Sequence, residues 1–153
     1  MKRAQLILLC VVLLLHIRIS AQEPLPGLTE KKPPKPYLFT SLPDQFEVSL
    51  PQLQQILSAN VNEKVSAQLS GQIQITGIVV DKSQHTPGSL TSNIRIENYH
   101  NALLNLTIRF LADNSTSIQG RIIHPKYGDV LEIFKQNDRY FIRKISQRLF
   151  MPE

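Results

Sequence analysis

Cysteine is nearly missing from this chain: its single copy, Cys10, lies in the apolar run LILLCVVLLL near the N-terminus. Beyond that run no disulfide, thiol nucleophile or cysteine zinc site can form, so a folded unit there must be held by its core alone. Glycine is sparse. Its six copies are scattered, and none builds a phosphate-cradling loop or a Gly-x-Ser-x-Gly elbow. Positive charge also thins out once the N-terminus is set apart. Without Lys2, Arg3 and Arg18, 14 basic residues remain against 12 acidic ones, and the formal charge falls from +5 to +2. Nucleic-acid binding needs many phosphate contacts, so a field this weak excludes it as an expectation. No cofactor is expected either.

What is present begins with an address. Residues 1–21 combine Lys2 and Arg3, a ten-residue uncharged stretch and the small residue Ala21, the layout of a secretory signal peptide cut before Gln22. A helix that spans a bilayer needs about 20 apolar residues, so no stable membrane span is expected after cleavage. Leu9 is too bulky to precede a lipid-modified cysteine, which leaves Cys10 as one apolar residue among ten. Residues 22–45 hold six of the ten prolines, with EKKPPKP in the middle. Proline fixes φ and removes donors, so this stretch reads as an extended linker, with YLFTSL as its one apolar patch able to dock on the domain.

Residues 46–153 read as a single α+β domain: one N-terminal helix packed on a curved antiparallel meander sheet of about six strands. The helix is SLPQLQQILSANV. Ser49 and Gln52 have the spacing of a capping box, Pro51 fits the first turn, and Leu50, Leu53, Ile56, Leu57 and Val61 share one face. From residue 64 the period changes to two. ALLNLTIRFLA alternates without a break, SNIRIEN and TSIQGRIIH follow the same pattern, and QIQITGIVVD carries Gly77 as an expected bulge or bend. The short segments between them, SQHTPGS, ENYHN, ADNST and HPKYGD, predict hairpin connections.

The last hairpin can be registered from sequence. With Asn137 and Asp138 as the two central turn residues, Gln136 faces Arg139, Phe134 meets Phe141, Ile133 meets Ile142 and Glu132 meets Arg143. The same register sends Lys144 to the opposite face from Arg143, which splits the basic C-terminal run.

Candidate chemistry is thin. HPKYGD reads as a chain reversal, with Pro125 presetting φ, Gly128 supplying an unusual backbone angle and Asp129 accepting from nearby amides. His85, His100 and His124 sit on three separate turns without metal-ligand spacing, and Asp129 and Glu132 project to opposite faces of one strand. No catalytic or metal residue is expected. The surface expected to bind is the outer row Asn105, Thr107 and Arg109 flanked by Leu103 and Leu111, or a free sheet edge.

GIVVDKSQ, IRIENYHNALLNLTI, GRIIHPKYGDVLEIF and YFIRKISQRLFMPE together resemble small exported β-rich proteins of Gram-negative bacteria, over about residues 71–153. The resemblance implies an exported bacterial origin. The order strand, G-x-V, strand, I-x-G-R-I, strand, Y-F-I is also similar to β-rich propeptides of secreted metallopeptidases. The expected function is non-catalytic binding of a macromolecule, a protein of the cell envelope or one outside it, with the protein secreted or periplasmic. The alternatives are a stand-alone inhibitor or propeptide-like chaperone of a secreted peptidase, and a small apolar-ligand carrier with a cavity lined by Leu104, Leu106, Ile108 and Phe110.

Overall fold

The computed structural model describes residues 33–146, the side chain of His85 excepted. The signal peptide with its cut after Ala21, Cys10, the linker up to residue 32 and the end of the basic C-terminal run lie outside the described residues. The architecture overturns the expected α+β fold. Among the described residues the chain is mostly β: eight antiparallel strands form a curled half-barrel, with only one short α-helix and about 11% of those residues helical. The strands are β1 (Gln45–Val48), β2 (Lys64–Gln68), β3 (Gln74–Thr86), β4 (Ser89–Ile96), β5 (Ala102–Phe110), β6 (Thr116–Ile123), β7 (Asp129–Gln136) and β8 (Arg139–Ser146); the helix is α1 (Leu50–Ser58).

Six strands, β3 to β8, are the expected ones and follow each other as a meander. The two additional strands, β1 and β2, form its edges in the order β1-β8-β7-β6-β5-β4-β3-β2. Both have weak sequence signals. QFEV has four residues, and KVSAQ alternates with only Val65 and Ala67 on its buried side. Their pairing with β8 and β3 makes strands of them, since a segment too short to bury much gains its stability from a neighbour's ladder.

The helix runs from one edge strand to the other and draws the edges together. The Ser49 amide donates to the Leu69 carbonyl at 2.8 Å, and the Gln68 amide donates to Gln52 Oε1 at 3.2 Å. Gln52 therefore serves the edge of β2, and the Ser49 side chain makes no cap bond, so the expected capping box does not form. Leu53, Ile56 and Leu57 are buried, whereas Val61 lies beyond the helix and is exposed. At the helix C-terminus Lys82 Nζ donates to the carbonyls of Leu57 and Ala59 at 2.8 and 2.9 Å, and its charge complements the negative end of the helix dipole.

Three glycines act by close approach, and a Cβ on Gly120 would collide with the Asn105 carbonyl of β5. A Cβ on Gly77 would collide with the Arg95 carbonyl of β4; the register shifts of β3 fall at Val79–Asp81 and Ser83–Thr86 instead of at Gly77. A Cβ on Gly128 would press on Lys35 and Tyr37, and Gly128 has no positive φ, which corrects the expected role of this residue in the turn. SQHTPGS is largely strand, with Pro87 and Gly88 alone forming the turn between β3 and β4.

The β7–β8 hairpin has the register read from sequence. Asn137 and Asp138 adopt φ of 48° and 60°, and Phe134 pairs with Phe141, Ile133 with Ile142 and Glu132 with Arg143. At its tip Lys135 bonds Asp138 at 2.9 Å; this hydrogen bond, aided by charge attraction, holds the Asp138 carboxyl below its ordinary pKa and the Lys135 ammonium above its own.

Between β6 and β7 the sheet forks. The two pair only from Gly120 to Ile123, leaving residues 116–119 and 134–136 apart. In the fork the buried Tyr140 hydroxyl accepts from the Ile118 amide at 3.1 Å. Tyr140→Phe is expected to leave that donor unpaired and to lower stability by about 1–3 kcal/mol. Denaturant unfolding and faster hydrogen exchange at the Ile118 amide would report it.

Candidate functional site

Alternation along β5 sends Ala102, Leu104 and Leu106 into the core and Leu103, Asn105, Thr107 and Arg109 to the other face, with Leu111 just past the strand end. The expected surface row is therefore one continuous line. Leu103 and Leu111 are 43% and 47% exposed; between them Asn105 and Thr107 are part-buried and Arg109 is exposed.

Register extends this line sideways into a polar ladder across six strands. Asp81, Asn93, Asn105, Arg121, Glu132 and Arg143 stand in cross-strand sequence from β3 to β8. Asn93 Nδ2 donates to Asp81 Oδ2 at 3.1 Å, and Asn105 Nδ2 donates to Asn93 Oδ1 at 2.8 Å. Glu132 is clasped from both sides, by Arg143 at 2.6 Å and by Arg121 at 3.7 Å. Beside this ladder Arg143 lies 4.7 Å over the Phe134 ring and Arg139 lies 5.8 Å over Phe141, with Arg139 also paired to Glu47 at 3.1 Å. Arginine held on aromatic rings is the composition that concentrates binding energy in protein interfaces.

Two recesses open on this face. One of about 640 Å³ is lined by Thr91, Asn105, Thr107, Arg109, Phe110 and Leu111, among others. A second of about 300 Å³ lies where β6 and β7 part, between Gln119 and Phe134. Sequence reasoning placed the β5 row but missed the contributions of Thr91, Phe134 and Phe141. Counting the hairpin register outward through the meander would have found them, since same-face residues line up across every paired strand.

The polar residues of HPKYGD are brought together for packing. The Tyr127 amide donates to the His124 carbonyl at 3.1 Å, which closes the reversal around Pro125. His124 is buried: Nδ1 accepts from the Lys126 amide at 3.1 Å, so Nε2 carries the proton and donates to the His100 carbonyl at 3.0 Å. Tyr127 packs between the two histidine rings, at 4.8 and 6.0 Å. Asp129 accepts from amides distant in sequence, those of Leu38 and Phe39 at 2.7 and 2.6 Å, while the Gly128 amide donates to the Pro36 carbonyl at 2.8 Å. These bonds seat YLFTSL on the sheet, with Phe39 and Leu42 in the core.

Among the described residues no group of three or more histidine, aspartate or glutamate side chains is placed to hold a metal ion, and no helix is long and apolar enough to cross a membrane. No protein-family model matches the chain, and no curated protein or solved structure is significantly similar to it.

Proposed function

We propose that this chain is an exported, non-catalytic binding module that engages a protein of the cell envelope, or one outside it, through the outer face of its sheet. The observation that carries the reading is that face itself. It joins a bonded polar ladder, two arginine–phenylalanine stacks, two recesses and the exposed side chains of Leu103 and Leu111 on one surface. A rigid array of this mixed composition suits an interface of moderate size.

The sheet edges fit the role less well. β1 has four residues, and in β2 the Gln52 side chain occupies the Gln68 amide, which blunts strand addition at that point. A carrier is disfavoured because Leu104 and Leu106 are fully buried in the same apolar core as the helix residues Leu53 and Ile56, while Phe110 faces solvent. The groups with reactive potential have structural partners: His124 braces a turn, Asp129 holds backbone amides and Glu132 sits between two arginines.

The test is affinity capture from the native cell envelope with the tagged protein and a Leu103→Glu variant. The wild type is expected to retain a defined protein that the variant loses, with circular dichroism unchanged. Equal retention by both would refute the outer face, and a peptidase among the retained proteins would specify the partner as the target of an inhibitor.

A further inference from the structure

We propose that the two recesses of the outer face form one groove that binds an uncharged oligosaccharide. This goes beyond the protein-binding reading and gives the recesses a ligand of their own. Asn105 and Thr107 line both recesses, so the one continues into the other. Register sets a single row of side chains along the groove: Thr91 lies opposite Thr107, and Thr107 lies opposite Gln119. Pairing of β6 with β7 stops at Gly120 and Ile133, so the next position across the fork belongs to Phe134, which lines the second recess together with Gln119. Two strand spacings separate Thr91 from Gln119, about 10 Å, and the fork carries the row further. A short sugar chain has the length to lie along it.

The groove keeps hydrogen-bonding capacity in uncharged groups. The Thr91 and Thr107 hydroxyls lie 2.8 Å apart, and the pair uses one hydroxyl hydrogen between its members and retains the other. Asn105 Nδ2 donates to Asn93 Oδ1 at 2.8 Å, which fixes the amide while its own Oδ1 meets no donor among the described residues. The exposed Gln119 amide has no partner among them. Donors and acceptors are thus interleaved, and each hydroxyl of a sugar both donates and accepts. The charged residues of the second recess, Arg121 and Glu132, lie 3.7 Å apart and answer each other, while Arg109 of the first is solvated. The row ends on Phe134, a half-buried ring with Arg143 over it at 4.7 Å, and the apolar C–H face of a pyranose packs on such a surface. A peptide fits less well. Its strongest bonds go to free backbone at a strand edge, whereas the backbone under Thr91 and Thr107 is paired on both sides.

The experiment titrates the isotope-labelled full chain with chitotetraose, cellotetraose and maltotetraose and follows its amide signals by NMR. At least one of the three should bind saturably and shift the side-chain amide signals of Asn105 and Gln119. Gln119→Ala, at an exposed position without a side-chain partner, should weaken that sugar about fivefold, as expected for the loss of one uncharged hydrogen bond. Phe134→Leu, which keeps apolar bulk and loses the flat ring, should weaken it about tenfold. Both variants should keep the wild-type amide spectrum away from the groove. No saturable binding of any of the three sugars, shifts confined to residues outside the groove, or undiminished binding by both variants would overturn the site. Tetragalacturonate bound in place of the uncharged sugars would overturn the ligand class. An envelope protein lost by Leu103→Glu but retained equally by the wild type and Gln119→Ala, with no sugar bound, would keep the outer-face reading and sink the groove.

Discussion

Asp129→Asn is expected to lower the unfolding free energy by about 3 kcal/mol or more, the largest loss for any polar substitution in this fold. Asp129 is buried, and its two carboxylate oxygens accept from the amides of Leu38 and Phe39 at 2.7 and 2.6 Å. Hydrogen bonds to a charged acceptor contribute about 1.5–3 kcal/mol each. Asparagine keeps the shape and one acceptor, but its NH2 group would face a backbone N–H, donor against donor. The loss should spread along the chain, because those amides fix the segment that carries Phe39 and Leu42 into the core. Denaturant unfolding gives the magnitude, and limited proteolysis should find new cleavage between residues 34 and 43. A change below about 1 kcal/mol would show that apolar docking alone seats the segment.

Leu53→Ala should cost about 2–5 kcal/mol, since the leucine is fully buried and its removal leaves a cavity beneath α1. The helix has only nine residues and is too short to be stable alone, so its place depends on this packing. Losing it would also loosen the bonds from Ser49 to Leu69 and from Gln52 to Gln68 that draw the two edge strands together. The denaturant midpoint should fall with an unchanged slope, and amides of β2 should exchange faster. An added Gln54→Ala on the exposed side of α1 is a suitable control, expected within about 0.5 kcal/mol of the parent.

The meander from β3 to β8 was legible because its strands alternate with period two and their connections are short. The hairpin register was legible for a sharper reason: a one-residue slip would turn Phe134, Ile133 and Glu132 away from Phe141, Ile142 and Arg143 together. β1 and β2 were hidden because neither has enough apolar residues to announce a strand. The helix was read correctly as an amphipathic segment and wrongly as half of an α+β layer, since the short strands on either side of it extend the sheet around it. Of the outer face, the row from Leu103 to Leu111 was visible in one strand; the ladder that crosses it needs all the registers at once.

The sequence alone determined the strand period, the turn between Asn137 and Asp138, the direction of the β5 side chains and the absence of thiol chemistry beyond Cys10. These are local properties, set by residue type and by spacing within a few positions. Only the tertiary structure decided that Asp129 holds Leu38 and Phe39, that Gln52 guards an edge strand and that Glu132 sits between Arg121 and Arg143. Each of these depends on groups brought together from elements distant along the chain or set by register across several strands, and no local pattern records which distant group a side chain will meet.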